Sequence, residues 1–343
     1  MAQRFLTERE KQVLQILVDH YITTAKPVGS RTLATRYNLG ISAATIRNTM
    51  ADLQELGLIT HTHTSGGRIP TEQGYRKYVD YILKPESLTD AERRTIKSGL
   101  DSGNLALGPI LEQTSRVLAY ISNQLGMTIA PHFEAGILTR ITMVPVAEKR
   151  VLVVIAIKSG LVRSIIMEIE TDLKAELVEK TASLLSERLS GETLGEIRKT
   201  ILERIKGISA GDPTLLKLFV DSCDEIFSEQ ISDKVHFEGT ANLVKHPEFK
   251  NVEEFSNLIG MVEDRTFLAD ILVSGDIKEG TSIVIGDEIY PGTSKSVSLV
   301  TSTYNAGKEK GILGVMGPTR MPYSKIVSVV DYTAKLLSKL LSK

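Results

Sequence analysis

A short segment near the N-terminus carries side chains suited to reading DNA. Ala43, Ala44, Arg47 and Asn48 share one exposed face if the residues after Ser42 form a helix. Arginine can donate two hydrogen bonds to guanine, and asparagine can pair with adenine or reach a phosphate. Alanine lets a helix approach the base edges closely. We therefore predict that these residues read bases.

Other residues around this segment are predicted to bind phosphate or to form a wing. Ser42 and Thr45 stand at the predicted helix start, where backbone N–H groups also favour an anion. Arg31 lies on the preceding predicted helix. Gly66-Gly67 permits a tight hairpin tip, and Arg68 suits the narrow, negative minor groove. Together they predict a basic surface beside the reading helix.

The surrounding sequence supplies elements that would position these side chains. The candidate helix N-caps are Thr7, Ser30, Ser42 and Thr71. Thr7 with Glu10 forms a capping-box pattern, and residues 58–64 and 68–70 predict a hairpin around Ser65-Gly66-Gly67. Short helices followed by a hairpin are typical of a winged helix-turn-helix. The same arrangement also serves as a protein-interaction module, so the pattern alone leaves both functions open.

Segments along nearly the whole chain share a pattern with a known family. They lie at 6–10, 27–33, 42–53, 57–59, 64–71, 74–76, 238–243, 247–249, 314–321 and 330–332. The most specific read SAATIRNTMADL and, later, GPTR. These segments resemble the HrcA family of heat-inducible transcription repressors. His61 and His63 stand where the family pattern leads us to expect other polar residues.

The resemblance implies a dimeric negative regulator of class I heat-shock operons, the chaperone operons groE and dnaK. It implies binding to double-stranded DNA at the CIRCE inverted-repeat operator and release on heat shock. It also implies that the GroEL chaperonin keeps the repressor competent to bind. In architecture, it implies a winged helix, a GAF-like domain and an inserted dimerisation domain.

The alternation of strand-rich and helix-rich segments along the chain predicts a multidomain α+β fold. β-rich runs precede and follow a helical block, at 137–146, 151–157, 162–169, 268–274, 281–285, 296–304 and 312–316. An α/β domain interrupted by a helical insertion explains that order. We predict a winged-helix domain at 1–84, a connector at 85–104, a discontinuous GAF-like domain at 105–190 and 265–343, and an inserted dimerisation domain at 191–264.

Apolar stripes in the helical block are candidates for a dimer interface. Leu216, Phe219, Val220 and Phe227 recur at helical spacing. Aromatic and aliphatic anchors dominate subunit interfaces, and an inverted-repeat operator needs a two-fold dimer. The alternative is that the same stripes complete the core of one chain.

The net charge of −1 hides a difference between the two parts of the chain. Residues 1–83 hold ten Lys and Arg against seven Asp and Glu, a net charge of +3, which leaves −4 for the remainder. The asymmetry favours a nucleic-acid surface on the N-terminal part. A chain with this distribution can bind DNA through a small basic face while its bulk avoids indiscriminate phosphate binding.

Composition and motifs argue against several other classes. The single cysteine, Cys223, excludes an internal disulfide and a multi-cysteine zinc site, and its apolar stripe predicts burial. No apolar run reaches the ~18 residues of a membrane span, and the N-terminus lacks a signal-peptide pattern. We therefore expect a cytoplasmic location without membrane contact. No arrangement of nucleophile and base is recognisable, so we predict no enzyme activity and no cofactor.

Weaker motifs leave alternatives open. His61 and His63 alternate on a predicted strand, but no acidic or cysteine partner is near in sequence, so we predict no metal site. Gly292–Ser296 lacks the register of a phosphate loop. The Gly317–Arg320 segment is either a turn joining strand to helix or an anion-binding loop. With the loops at Gly160 and Gly292, it motivates an alternative function as a ligand-sensing GAF-type regulator.

Overall fold

The fold is described by a computed structural model. The residues described are 5–62, 65–101, 107–131, 136–158, 160, 162–169, 174–208, 210–227, 235–264, 280–289, 296–307 and 309–342. Within these ranges no helix combines the length and apolar character needed to cross a bilayer.

Helices and strands alternate in blocks along the chain. The helices are α1 Glu8–Thr24, α2 Ser30–Tyr37, α3 Ala43–Glu55, α4 Glu72–Tyr81, α5 Asp90–Leu100, α6 Leu107–Ser122, α7 Ala175–Leu189, α8 Leu194–Arg204, α9 Pro213–Asp221, α10 Cys223–Phe227, α11 Thr240–Leu243, α12 Val252–Glu263 and α13 Tyr323–Leu341. The strands are β1 Ile59–Thr62, β2 Ser65–Pro70, β3 Leu125–Ile129, β4 Leu138–Ala147, β5 Arg150–Ile157, β6 Val162–Glu168, β7 Val235–Glu238, β8 Thr281–Ile285, β9 Val297–Ala306 and β10 Glu309–Pro318. Short 3₁₀ helices span Pro247–Lys250 and Gly286–Glu288.

Most of the predicted helix starts in the N-terminal part are confirmed. The Thr7 hydroxyl accepts from the Glu10 backbone N–H, and the Glu10 carboxylate accepts from the Thr7 N–H at 2.7 Å, which completes the capping box. The hydroxyls of Ser42 and Thr71 cap α3 and α4. The prediction for Ser30 is wrong, because α2 begins one residue earlier than expected and has Gly29 as its N-cap, without a side-chain hydrogen bond.

A five-stranded antiparallel sheet forms the centre of the molecule, in the order β7-β3-β10-β9-β8. Helices α6 and α13 lie against it. All residues of β3 and most of β10 are buried, so these strands are covered on both faces. The predicted connector 85–104 contains α5, whose Ile96 and Leu100 join the buried cluster under α13.

A second, three-stranded antiparallel sheet, β4-β5-β6, has a core of its own. Its inner face packs against α7 to α10, in a cluster that runs from Leu138 to Phe227. Along β5 every second side chain is buried, as expected for a sheet covered on one face. The predicted strands at 137–146, 151–157 and 162–169 are therefore present, and among the described residues they form a sheet separate from the five-stranded one.

The hydrophobic cores divide the chain at other residues than the predicted domain boundaries do. The boundary placed between residues 190 and 191 falls inside the cluster of the three-stranded sheet. Residues 235–263, assigned to the helical insertion, contribute β7 and buried side chains to the five-stranded sheet. The physical reason is strand pairing, since β4 to β6 share no hydrogen-bonded edge with the central sheet as far as the described residues extend. The predicted strand at 268–274 lies outside the described residues.

The winged-helix elements are docked on the central sheet. One apolar cluster runs from Val13 and Leu17 in α1 to Val329 and Leu337 in α13. Polar contacts accompany it: Arg76 in α4 donates to the Ile283 carbonyl of β8 at 2.8 Å. The N-terminal elements therefore share a continuous core with the central sheet.

Candidate nucleic-acid interface

Helix α3 separates a buried face from an exposed one. Ile46, Met50 and Leu53 are buried against α1 and α2. On the opposite side Arg47 and Asn48 are exposed. The 3.6-residue period of the apolar side chains thus fixes which side of the helix is free to meet a ligand.

The other predicted side chains of α3 lie at its first turn. Ala44 is exposed and Ala43 is partly exposed. The Ser42 hydroxyl lies 2.9 Å from the Thr45 hydroxyl and accepts from the Thr45 N–H at 3.1 Å. Ser42 and Thr45 therefore fix the start of α3, and Ser42 remains exposed at the helix end that favours an anion.

A cleft of about 570 Å³ lies between α2, α3 and the β1–β2 hairpin. Its lining residues are Gly29, Ser30, Arg31, Arg47, Met50, Gly66 and Arg68. The cleft therefore brings together guanidinium groups from all three elements. Arg31, Arg47, Gly66 and Arg68 were predicted as DNA contacts from sequence; Gly29, Ser30 and Met50 were not. The only sequence signal for Gly29 and Ser30 was their place in the 27–33 segment of the family pattern.

The predicted position of Gly66-Gly67 at the hairpin tip is wrong. Strand β2 begins at Ser65, so Gly66-Gly67 lies within the returning strand and not at the tip. Gly67 is needed for close approach instead. A Cβ atom there would lie 2.8 Å from the Pro27 Cβ and 2.9 Å from the Pro27 carbonyl carbon. The hairpin is thus pressed against the loop that joins α1 to α2.

Backbone pairing holds Arg68 in that position. The Arg68 N–H donates to the Val28 carbonyl at 2.9 Å, and the Val28 N–H donates to the Arg68 carbonyl at 3.0 Å. Across the hairpin, Arg68 pairs with His61. Its guanidinium Nη1 donates to the His61 Nδ1 at 2.7 Å. Sequence reasoning missed both Val28 and this role of His61.

The arginines of the cleft keep their positive charge free of carboxylate partners. In the part of the chain that the structure describes, Arg31, Arg47 and Arg68 form no ion pair. Among those same residues, the buried Arg68 Nε finds no hydrogen-bond acceptor. Burial also lowers the pKa of the Arg68 guanidinium, because desolvation disfavours its charged form. A negative charge in the cleft would favour the charged form of Arg68 and offset that cost.

Two family models match the chain. One, described as the winged helix-turn-helix transcription repressor HrcA DNA-binding domain, covers residues 5–80. The other, the HrcA protein C-terminal domain, covers residues 109–327. The chain belongs to the HrcA family. The DNA-binding-domain model covers α1 to α4, apart from the last residue of α4, and it includes every residue that lines the cleft. The winged helix of this HrcA-family chain is therefore a DNA-binding domain of the kind found in transcription repressors.

Relatives of nearly equal length support the assignment. The heat-inducible transcription repressor HrcA of Chlorobium luteolum is 40% identical, with 100% of this chain and 99% of the relative covered. That of Pelotomaculum thermopropionicum is 36% identical, with 98% and 97% covered. A crystal structure described as a hypothetical protein has a TM-score of 0.66 at 26% identity, covering 98% of this chain and 99% of its own.

In this HrcA-family chain, the residues predicted to form the dimer interface pack in or against the core of the three-stranded sheet. Phe219 and Phe227 are fully buried and pack edge to face, with ring centroids 5.8 Å apart. Leu216 and Val220 are partly buried against the same cluster. The two aromatic residues cannot anchor a partner while this core is intact, because their rings are already enclosed. For Phe219 and Phe227, the alternative weighed from sequence, that the stripes complete the core of one chain, describes their burial. Leu216 and Val220 stay candidates for a dimer interface.

The remaining motifs have structural roles or lie outside the described residues. Cys223 is buried, which raises the pKa of its thiol to about 11. No cluster of three or more potential metal ligands occurs in the described ranges, and His63 lies outside them, as do Gly292 and the loop residues after it. Arg320 donates to the Glu248 carboxylate at 2.5 Å and to the Ile22 carbonyl at 2.7 Å. Gly317 and Pro318 therefore end β10, Thr319 and Arg320 form the turn before α13, and the cation of this segment is already paired.

Proposed function

We propose that this chain is a negative regulator of class I heat-shock operons, groE and dnaK, that binds the CIRCE inverted-repeat operator. The observation that carries the proposal is the cleft between α3 and the hairpin, lined by Arg31, Arg47 and Arg68, which pair with no carboxylate among the described residues. Helix α3 enters the major groove, and the β1–β2 hairpin forms the wing. The site of action is the cytoplasm, and heat shock releases the repressor.

Base reading by α3 is tested with Arg47→Ala. Loss of a bidentate contact to guanine costs about 1–3 kcal/mol and relaxes preference at one operator position. Arg31→Ala is the matched control, because a phosphate contact weakens all sequences alike. Fluorescence anisotropy at a fixed salt concentration measures affinity for the operator, single-base variants and scrambled DNA. If the unmodified chain bound scrambled DNA and the operator with equal affinity, that result would contradict the proposal of sequence-specific repression.

We also propose that two copies of the chain bind the two halves of the operator. A two-fold repeat in DNA matches a two-fold protein dimer. The outer face of the three-stranded sheet supports a dimer contact there, since Val144, Leu152 and Ile166 stand in register across β4, β5 and β6. Val144 and Ile166 are 44% and 58% exposed. In this proposal the inserted dimerisation unit spans about residues 136–227, and the central sheet belongs to the GAF-like domain.

The dimer proposal predicts that Ile166→Asp yields monomers. A carboxylate in an apolar interface loses hydration without a partner, so sedimentation equilibrium should show a monomer and operator affinity should fall. Leu202→Asp is the matched control, because Leu202 is 69% exposed on α8, away from that sheet face. Monomers from the unsubstituted chain at micromolar concentration, or an unchanged dimer of the Ile166→Asp variant, would contradict the proposal.

Modulation by the GroEL chaperonin is proposed from the family resemblance. Warmed repressor should lose operator binding and recover it on addition of the chaperonin with ATP. The measurement compares rebinding after a heat pulse with and without chaperonin. Full recovery without chaperonin would overturn this part of the proposal and leave operator recognition untouched.

A further inference from the structure

His61 and Arg68 face each other across the wing. They are direct partners in the β1–β2 register, and the Arg68 Nη1 lies 2.7 Å from the His61 Nδ1. A guanidinium has only donors and stays protonated in proteins. The Nδ1 atom must therefore accept, which places the imidazole proton on Nε2. The contact fixes both the direction of the hydrogen bond and the tautomer of His61.

The backbone of Arg68 is fixed, so the freedom of this residue lies in its side chain. Both backbone groups of Arg68 are bonded to Val28, and Gly67 is pressed on Pro27. A long side chain on so fixed a backbone still has several rotamers. The hydrogen bond to His61 selects one of them, in which the guanidinium lines the cleft beside Arg31 and Arg47.

A histidine holds the guanidinium without neutralising it. A carboxylate at the same position would form an ion pair and compete with a DNA phosphate for the positive charge. The neutral imidazole occupies one donor of Arg68 and leaves its full charge facing the cleft.

We infer that His61 is a positioning residue of the wing, which orients Arg68 for contact with DNA. The inference rests on the proposed function. It assigns His61 no contact with DNA of its own, so its effect on affinity passes through Arg68. It also makes the rotamer of Arg68, and not only its charge, a determinant of operator binding.

The test is a double-substitution cycle on the full chain. His61→Ala should weaken operator affinity roughly threefold to tenfold, the equivalent of one hydrogen bond of ordinary net strength. His61→Asn should restore it to within about twofold, because the asparagine Oδ1 can accept at nearly the position of Nδ1. Combined with Arg68→Ala, His61→Ala should add no further loss.

Thr60→Ala, on the adjacent exposed position of β1, is the control and should bind as the unmodified chain does. All variants are compared by anisotropy with operator and scrambled duplexes and by melting temperature. Unchanged affinity of His61→Ala, or an equal loss with and without Arg68, overturns the role of His61. In either case the proposed function stands as long as the unmodified chain prefers operator to scrambled DNA; loss of that preference overturns the proposed function itself.

Discussion

Neighbouring glycines in the wing differ sharply in what surrounds them. A Cβ atom placed on Gly66 would have no atom within 4 Å, whereas a Cβ atom on Gly67 would overlap Pro27. Gly67→Ala should therefore push the hairpin away from the α1–α2 loop and cost about 1–3 kcal/mol, as overpacking commonly does. Gly66→Ala should leave the unfolding free energy nearly unchanged, and any change in its operator affinity would come from the place of Gly66 in the cleft.

Chemical denaturation and anisotropy measure both quantities for the two variants. Since the Gly67 substitution displaces the backbone that carries Arg68, its operator affinity should fall along with its stability. Equal behaviour of the two alanine variants would show that the close approach of Gly67 to Pro27 does not hold the wing.

At the scale of single elements, the start of α3 depends on one hydroxyl. Ser42 accepts from the Thr45 N–H, so Ser42→Ala leaves an N–H at the helix start without this cap. We expect a loss of about 0.5–2 kcal/mol in unfolding free energy. Thr35→Ala is the control, because Thr35 is exposed on α2 and caps no helix start. Thermal unfolding without DNA separates this effect from any phosphate contact of Ser42.

Elements with local signals could be predicted from sequence, and elements defined by distant partners could not. Ser42 and the apolar period of Ile46, Met50 and Leu53 were sufficient to predict α3 and its free face. Strand β3 was not among the predicted strands, because its five buried residues follow the apolar stripe of α6 without a clear break. Its partners, β7 and β10, are far away in sequence.

The same limit applies to the site. Helical periodicity predicted the exposure of Arg47 and Asn48. It could not show that Val28 pairs with Arg68 or that His61 contacts the Arg68 guanidinium. Cross-strand contacts depend on the register of β1 and β2, and a strand that contains Gly66-Gly67 specifies that register only weakly. The predicted turn at Gly66-Gly67 is the consequence of that uncertainty.

At the scale of the whole molecule, Arg320 ties separate parts of the chain together. It reaches the Ile22 carbonyl at the end of α1 and the carboxylate of Glu248, and both charged side chains are largely buried. Arg320→Ala leaves that carboxylate without its partner, so we expect a loss of about 1–3 kcal/mol and looser docking of the winged helix. Lys335→Ala, which breaks the exposed pair with Asp331, should cost less than about 1 kcal/mol.

Calorimetry and limited proteolysis of the 82–90 segment measure the two effects of the Arg320 substitution. Faster cleavage there, together with a lower melting temperature, would locate the loss at the junction of the winged helix and the central sheet. If Arg320→Ala and Lys335→Ala unfold and are cleaved alike, the contact to Ile22 contributes little to docking.

The neighbouring strands β3 and β7 also set an order for biosynthesis. Ile129, the last residue of β3, pairs with Val235, the first of β7, so the three-stranded unit leaves and rejoins the sheet at one point. On the ribosome, β3 emerges long before either strand that will flank it. The intervening unit can form its own core first, while the exposed edges of β3 await the rest of the nascent chain. Pairing of strands so distant in sequence is slow and leaves the edges of β3 exposed to aggregation. Completion of the central sheet is therefore the folding step at which the nascent chain is most prone to aggregate.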